Sequence, residues 1–383
     1  MDHFPHVRVA GTAIERGRQY GEQARDRIRR SVQDYREIFA HYTGWDWPAV
    51  RREAARFEQP VADFRPACLE EMRGIADGAG LDLLDVLAIN VRTEVMFAAK
   101  ARQAAGGRRA GECSAFAVVP APGRPGAVLA GQNWDWLPTC TDTVVVLEAR
   151  PAGGPAYVTV VEAGLLAKTG MNSAGLGLVT NALVTADDTG TPGIPYHVAL
   201  RAILDCTTVS GALAVLQSGQ RSSSANYLIT HRDGSAVNVE AAPGGFSELH
   251  LLSPDPASGV LLHTNHFLSP RFTGTDVSVW AMPDSPLRLH RLRAGVAAAA
   301  QPPALALFRT LLADHANHPL GVCCHPDPGD HPCDQGATVA SVLMDLTAAR
   351  IWIADGNPCS APYRELDYRG FLGGPSPAAQ GAA

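Results

Sequence analysis

Lysine is nearly missing from this chain. Of its 32 basic residues only Lys100 and Lys168 are lysines, so arginine carries almost all the positive charge. Acidic residues, 38 in number, outweigh the basic ones and leave a formal charge of −6. Without a basic excess there is no face for a phosphate backbone, which excludes nucleic acid as a partner. Charged residues are scarce as well, 18% against 46% hydrophobic, which excludes a disordered or fibrous chain and leaves ample material for a large core. Long apolar runs are absent: the Ala-rich stretch from Ala294 to Pro302 is too short to span a bilayer, and no membrane partner is expected. Met1-Asp2-His3-Phe4-Pro5-His6 lacks the basic start and apolar segment of an export signal, so a cytoplasmic protein is expected. In that setting the eight cysteines are expected as thiols, not as a disulfide framework. Internal repeats are missing too. Gly170-Met171-Asn172-Ser173-Ala174-Gly175 has the wrong first spacing for a dinucleotide loop and reads as a turn feeding a strand at Leu176.

What is present changes character near residue 112. From Ile14 to about Val95, Ile14, Tyr20, Ile28, Val32, Tyr35 and Ile38-Phe39 recur at helical spacing, a second such segment runs from Val61 to Ala76, and a third from Leu81 to Phe97. A polar, small-residue loop from Ala104 to Gly111 follows. Beyond it short apolar runs bounded by Gly, Pro, Asp or Asn read as strands: Cys113–Val119, Ala127–Ala130, Thr143–Glu148, Tyr157–Glu162, Leu176–Thr180, Asn226–Thr230 and Ala236–Glu240. Helical patches fall at Tyr196–Asp205, Leu287–Ala298 and Ala304–Leu312, and Thr338–Leu346 with Arg350–Ala354 reads as a hairpin. The connections are too short for regular crossover helices, which favours antiparallel sheets with helices outside, an α+β class. The division is a helical segment 1–112, a core 113–372, and a Gly/Pro/Ala-rich tail 373–383 expected to be disordered.

Cys113 opens the first run after the loop. A cysteine there serves either as a small hydrophobe or as a nucleophile. Cleavage of the Glu112–Cys113 bond would give it an α-amine, with an ordinary pKa of about 7.7–8.0, beside its own thiol at about 8.5. Nucleophile and base would then reside in one residue. The thiol can make the cut itself, by attacking the preceding carbonyl to leave an ester that water hydrolyses.

Gly131-Gln132-Asn133-Trp134-Asp135-Trp136 resembles the Gly-Gln-Asn-Trp-Asp segment of the acyl-coenzyme A:6-aminopenicillanic acid acyltransferase family, which are autoproteolytic N-terminal-nucleophile enzymes. The stretch from Glu162 to Gly175, Asn181-Ala182-Leu183, His263-Thr264-Asn265-His266 and Gly336-Ala337-Thr338 are similar to later blocks of that family, in the same order. The resemblance implies a four-layer αββα sandwich with the nucleophile starting a strand, and cleavage into a small and a large chain that stay together. It implies that Asp135 orients or charge-balances the new amine, against its reading as a turn or cap aspartate. It implies that Asn265 donates its side-chain amide to an oxyanion, against a loop-stapling role. Ser224, in a run of three serines, falls at a pocket position or in a solvated turn; Trp134, Asn181 and Gln335 complete the expected pocket. Where the penicillin-pathway enzyme carries Ser-Arg, this chain has Asp334-Gln335, which loses a charge suited to a carboxylate and puts a penicillin substrate in doubt.

The activity implied is acyl transfer from a small N-acyl compound or acyl thioester, through a thioester on Cys113, to water or an amine. No cofactor is implied; a coenzyme A thioester would enter as acyl-donor substrate. Two other readings stand beside it. One is a cysteine amidase of the penicillin V acylase and bile-salt hydrolase type, which often exposes its cysteine by methionine removal and is disfavoured by the long segment before Cys113. The other is a non-catalytic metal-binding protein using Cys323-Cys324-His325 and His331-Pro332-Cys333, although that spacing is not a paired-knuckle pattern. Cys68, Cys140, Cys206 and Cys359 read as packing or surface thiols, and Lys168, inside a matched block, as a solvated lysine in preference to one that meets an acidic acyl donor.

Overall fold

The computed structural model describes residues 3–103, 113–121, 126–299 and 303–373, with backbone only for 98–103. The cleavage-site Glu112, the loop Ala104–Gly111 and the tail beyond residue 373 lie outside the described residues. The strands, in chain order, are β1 (His6–Gly11), β2 (Cys113–Val118), β3 (Leu129–Trp136), β4 (Val144–Pro151), β5 (Tyr157–Glu162), β6 (Thr169–Asn172) and β7 (Leu176–Ala182). They continue with β8 (Ala225–His231), β9 (Ala236–Ala241), β10 (Leu249–Leu252), β11 (Val260–His263), β12 (Ala337–Asp345), β13 (Arg350–Ala354) and β14 (Arg364–Asp367). They form an eight-stranded sheet, β1-β4-β5-β6-β7-β8-β9-β10, and a six-stranded sheet, β11-β2-β3-β12-β13-β14. Every pairing is antiparallel except β1 with β4.

Alternation along β2 shows how the layers form. Cys113, Ala115 and Ala117 turn toward the large sheet and join the main core, while Phe116 and Val118 turn outward onto the helices Ser285–Ala298 and Leu305–Leu312. Phe116 stacks on Phe308 with ring centroids 3.6 Å apart. The helices before residue 103, together with Tyr196–Leu204 and Val209–Gln217, cover the other face of the large sheet. The result is an α+β fold of helix, sheet, sheet and helix layers. Polar bonds also cross between the sheets: Thr180 N–H donates to Gln132 Oε1 at 2.7 Å, and Asn181 Nδ2 to the Cys113 carbonyl at 3.0 Å. Among the described residues no helix is long and apolar enough to cross a membrane.

The segment before Cys113 is not wholly helical, which corrects the sequence reading. Val7 and Val9 are buried and Arg8 exposed, but this alternation is too short to stand out, and the strand it forms sits on the edge of the large sheet with His6 opposite Val146. The helix expected from Leu81 to Phe97 is two, Leu83–Asn90 and Arg92–Gln103. The helices Ala13–Gln23 and Pro66–Ala79 pack so closely that a Cβ on Gly17 or Gly74 would strike the backbone of the other, hence glycine at both. Buried bonds tie the segment to the sheets: Arg92 pairs with Glu162, Tyr35 donates to Glu162 at 2.9 Å, and Trp136 Nε1 donates to Tyr35 at 3.0 Å.

Candidate active site

Cys113 begins β2 with its side chain buried between the sheets, opposite Trp134 on β3. Strand pairing puts both side chains on one face, so the sulfur and the indole share a wall. Burial pushes the thiol pKa up; the Lys168 ammonium opposes this, while Asp135 adds to it. Burial thus favours the protonated Cys113 thiol, which would need a base to act as a nucleophile.

The Cys113 nitrogen is as closely attended as its sulfur. It donates to Asn265 Oδ1 at 2.8 Å, and Oδ1 also accepts from Arg288 at 3.0 Å. Asn265 Nδ2 donates to the Ala182 carbonyl at 3.0 Å, so the amide's orientation is fixed by donors on one side and an acceptor on the other. Arg288 reaches from the outer helix Ser285–Ala298 to the Cys113 carbonyl at 2.9 Å and Ser114 Oγ at 3.1 Å, and is held by Asp284 at 2.6 Å. Arg288 carries no signal in the sequence, because it lies in a segment recognisable only as a helix.

Along β3, Gln132, Trp134 and Trp136 face the large sheet or the pocket, while Asn133 and Asp135 face the outer helices. Asn133 Nδ2 donates to the carbonyls of Leu312 and Val322 at 2.8 and 2.7 Å, stapling the outer layer. Asp135 Oδ1 accepts from Thr338 Oγ1 at 2.5 Å, and its Oδ2 finds no hydrogen-bond donor among the described residues. Burial pushes the Asp135 pKa up to about 7, against the pull of Arg288, the Thr338 hydroxyl and Lys168.

Beside Cys113 opens a cavity walled by Met96, Phe97, Val184, Tyr196 and Met282, and lined also by Lys168 and the β3 segment Trp134–Trp136. Lys168 is only 5% exposed, and its ammonium lies 4.8 Å from the Trp134 ring centroid and 6.0 Å from that of Tyr196. The solvated lysine expected from sequence is thus a buried pocket lysine, its pKa lowered chiefly by burial. Trp134 and Cys113 meet at this cavity, and Asn181 sits behind it on the Cys113 carbonyl. Ser224 and Gln335 are not in its wall. Ser224 Oγ bonds Thr185 Oγ1 at 3.1 Å and its N–H donates to Asp188 at 2.8 Å, while Ser223 donates to Glu94 at 2.8 Å. Gln335 Nε2 donates to the Asp330 carbonyl at 3.1 Å inside its own loop.

The cysteine-histidine loop does not close on itself. Cys323 and His325 meet His315 and Cys359, whereas His331 and Cys333 lie by His41.

Residues 123–360 match the family model for acyl-coenzyme A:6-aminopenicillanic acid acyl-transferase. The chain is similar to the acyl-coenzyme A:6-aminopenicillanic-acid-acyltransferase 40 kDa form of Emericella nidulans, 26% identical over 356 residues that span 92% of this chain and 93% of the other. Among solved structures it is similar to a mutant of the conjugated bile acid hydrolase of Clostridium perfringens, with TM-score 0.44, 15% identity and coverage of 68% of this chain and 94% of that one. It is also similar to the penicillin V acylase of Agrobacterium tumefaciens, with TM-score 0.39, 16% identity and coverage of 67% and 86%.

Proposed function

The chain belongs to the acyl-coenzyme A:6-aminopenicillanic acid acyltransferase family, whose chemistry is acyl transfer, and from that premise we propose that it is a self-processing cysteine acyltransferase or amidohydrolase with Cys113 as nucleophile. One observation carries the reading: a buried side-chain carbonyl, Asn265 Oδ1, lies 2.8 Å from the Cys113 nitrogen, the atom that becomes an amine after cleavage. A buried amide at the start of a strand needs an acceptor in any case; here the acceptor is a side-chain amide that also carries a donor hydrogen free among the described residues and is shared with Arg288, an arrangement that can serve an amine as well as an amide.

In the intact chain the Cys113 sulfur attacks the Glu112 carbonyl carbon. The C–N bond breaks, the thiol proton passes to the departing nitrogen, and a thioester joins Glu112 to the sulfur. Water then hydrolyses that thioester, leaving a Glu112 carboxylate, a free thiol and a free α-amine. Asn265 Oδ1 holds one N–H of this amine so that its lone pair can turn to the thiol. The nearby Arg288 guanidinium disfavours the protonated amine, keeping it a base. In turnover the amine takes the thiol proton as sulfur attacks an amide or thioester carbonyl, and returns it to the leaving group. Asn265 Nδ2 carries two hydrogens, and the one not given to Ala182 serves the oxyanion. Asp135, at the edge of its titration near neutrality, balances the charge that develops on the amine.

The apolar cavity with Lys168 in its lining supports, as substrate, a small N-acyl compound or acyl thioester with an apolar acyl chain and a carboxylate that reaches Lys168. The acceptor is water or a small amine. The cleaved small chain stays bound through β1 and the buried Arg92–Glu162 pair.

The test is intact mass under denaturing conditions for freshly purified wild type and Cys113→Ala. Wild type is expected as pieces of about 12 and 28 kDa from the 40.5 kDa chain, the larger beginning at Cys113, and the variant as one uncut mass. Cleavage at Glu112–Cys113 in the variant would sink the proposal.

A further inference from the structure

The geometry points to a tetrahedral zinc site, separate from the pocket, formed by His315, Cys323, His325 and Cys359. One ligand atom from each lies within 4.8 Å of all the others. His325 Nε2 is 3.1 Å from His315 Nε2, 3.5 Å from Cys323 Sγ and 3.5 Å from Cys359 Sγ. A zinc ion with ordinary bond lengths would hold tetrahedral ligands about 3.3 Å apart for N to N and about 3.6 Å for S to N. The three separations fall close to these edges. Hydrogen bonding alone does not account for them, because one imidazole nitrogen carries at most one proton and cannot serve three neighbours. A shared cation does, with both thiols releasing protons to solvent as two Zn–S bonds form and both imidazoles giving neutral lone pairs. Two thiolates and two imidazoles are a donor set that selects zinc.

The surroundings are built to hold such ligands. Asn357 Nδ2 points an N–H at Cys323 Sγ from 3.4 Å and donates to the Cys324 carbonyl at 2.6 Å, the kind of outer partner that orients a ligating thiolate. Cys323 N–H donates to Asp314 and His325 N–H to Pro319, at 3.0 and 2.8 Å, which fixes the loop carrying three of the four ligands. The fourth, Cys359, comes from the segment after β13, so the ion would clamp that segment to the loop. The other nearby group, His41, His331 and Cys333, is different. His41 and His331 stack face to face at 4.3 Å, so their in-plane lone pairs do not converge, and His41 already bonds Asp334 at 3.0 Å. The clamp lies one residue from the active site: Cys324 N–H donates to Thr338 Oγ1 at 3.0 Å, and that hydroxyl donates to Asp135. Zinc would therefore steady the loop that positions Thr338.

The experiment uses the full chain, purified under reducing conditions and incubated with zinc, then freed of loose metal by gel filtration. Elemental analysis should find about one zinc per chain. Cys359→Ser and His315→Ala, both at exposed positions, should each retain less than about a tenth of that with unchanged circular dichroism. Cobalt loading should give the intense ligand-field absorption of a tetrahedral thiolate site in wild type and lose it in both variants. His41→Ala should keep the metal. Three results would overturn the proposal: no stoichiometric zinc in wild type, retention of zinc in a Cys323→Ser/Cys359→Ser double variant, or loss of zinc in His41→Ala. A non-reduced intact mass lacking two hydrogens, with Cys323 and Cys359 linked in one peptide, would replace it with a disulfide.

Discussion

Cys113 and Cys323 are both buried thiols whose pKa burial raises, the latter to about 12, yet they face opposite kinds of neighbour. Around Cys113 stand charges without free lone pairs aimed at sulfur: the Lys168 ammonium, the Arg288 guanidinium, and Asp135, whose backbone N–H helps the thiolate. Around Cys323 stand two imidazoles and a second thiol within ligand distance of one point. The first environment leaves the sulfur free of ligand-type partners, as the proposed nucleophile requires. The second gives it partners that would compete for any electrophile. Position explains the contrast: Cys113 opens a central strand between two sheets, and Cys323 lies on a loop at the rim where chain segments far apart in sequence meet.

The largest effect should separate the two at once. Cys113→Ala is expected to lose acyl transfer by about 10,000-fold or more, with melting temperature within a few degrees of the uncleaved precursor. Cys323→Ser is expected to do its damage in stability and metal content. Steady-state kinetics on a panel of small N-acyl amides, run beside thermal melts, reads both. A Cys113→Ala protein that keeps turnover would erase the distinction.

Much of this architecture could be read from the chain, for a physical reason. Both sheets are covered on both faces, so their strands are continuous apolar runs cut by Gly, Pro and Asp, and Tyr157–Glu162 or Arg350–Ala354 stood out as such. What escaped was short or non-local. The strand β1 owes its place to pairing with a strand far along the chain, and β6 hid inside a glycine-rich stretch read as a turn. Asp135 and Asn265 were legible only as members of strings. Arg288 had no signal beyond its helix, and its placement depends on the Asp284 carboxylate one turn back and the Cys113 carbonyl converging in space. His315 and Cys359 are separated by too much chain for spacing to reveal them. Lys168 carries one sequence clue to its pocket placement: in a chain that uses arginine almost everywhere, a lone lysine within a matched block reflects a local demand for a compact cation.

Asp135 sharpens the contrast next, because the metal-side cluster has no buried carboxylate. The native carboxyl titrates near 7, whereas an unfolded aspartate titrates near 4. Between these values the folded state keeps a proton that the unfolded state has lost, so the stability from this group is present at acid pH and fades as pH rises through about 7. Asp135→Asn cannot lose that proton. Its melting temperature should fall less than that of wild type between pH 5 and pH 8, while processing at neutral pH slows by about 100-fold. An unchanged pH dependence of melting would remove the buried charge from this side of the comparison.

Lys168 gives the smallest and most specific effect. Its ammonium rests on the Trp134 ring in the pocket lining and meets no carboxylate among the described residues, so it is available to a substrate anion. A charge-assisted hydrogen bond to that anion contributes about 1.5 kcal/mol, close to a tenfold change in binding. Lys168→Met keeps the length and apolar stem and removes only the charge. It should raise KM about tenfold for substrates with a carboxylate on the acyl chain and leave neutral analogues of equal length nearly unaffected. Lysine also lowers the Cys113 thiol pKa, so a second signature is expected: alkylation of the thiol, followed against pH, should shift to higher pH in Lys168→Met. If KM rises equally for charged and neutral substrates, the lysine acts on the thiol or the packing of Trp134, and the pocket selects its substrate by shape.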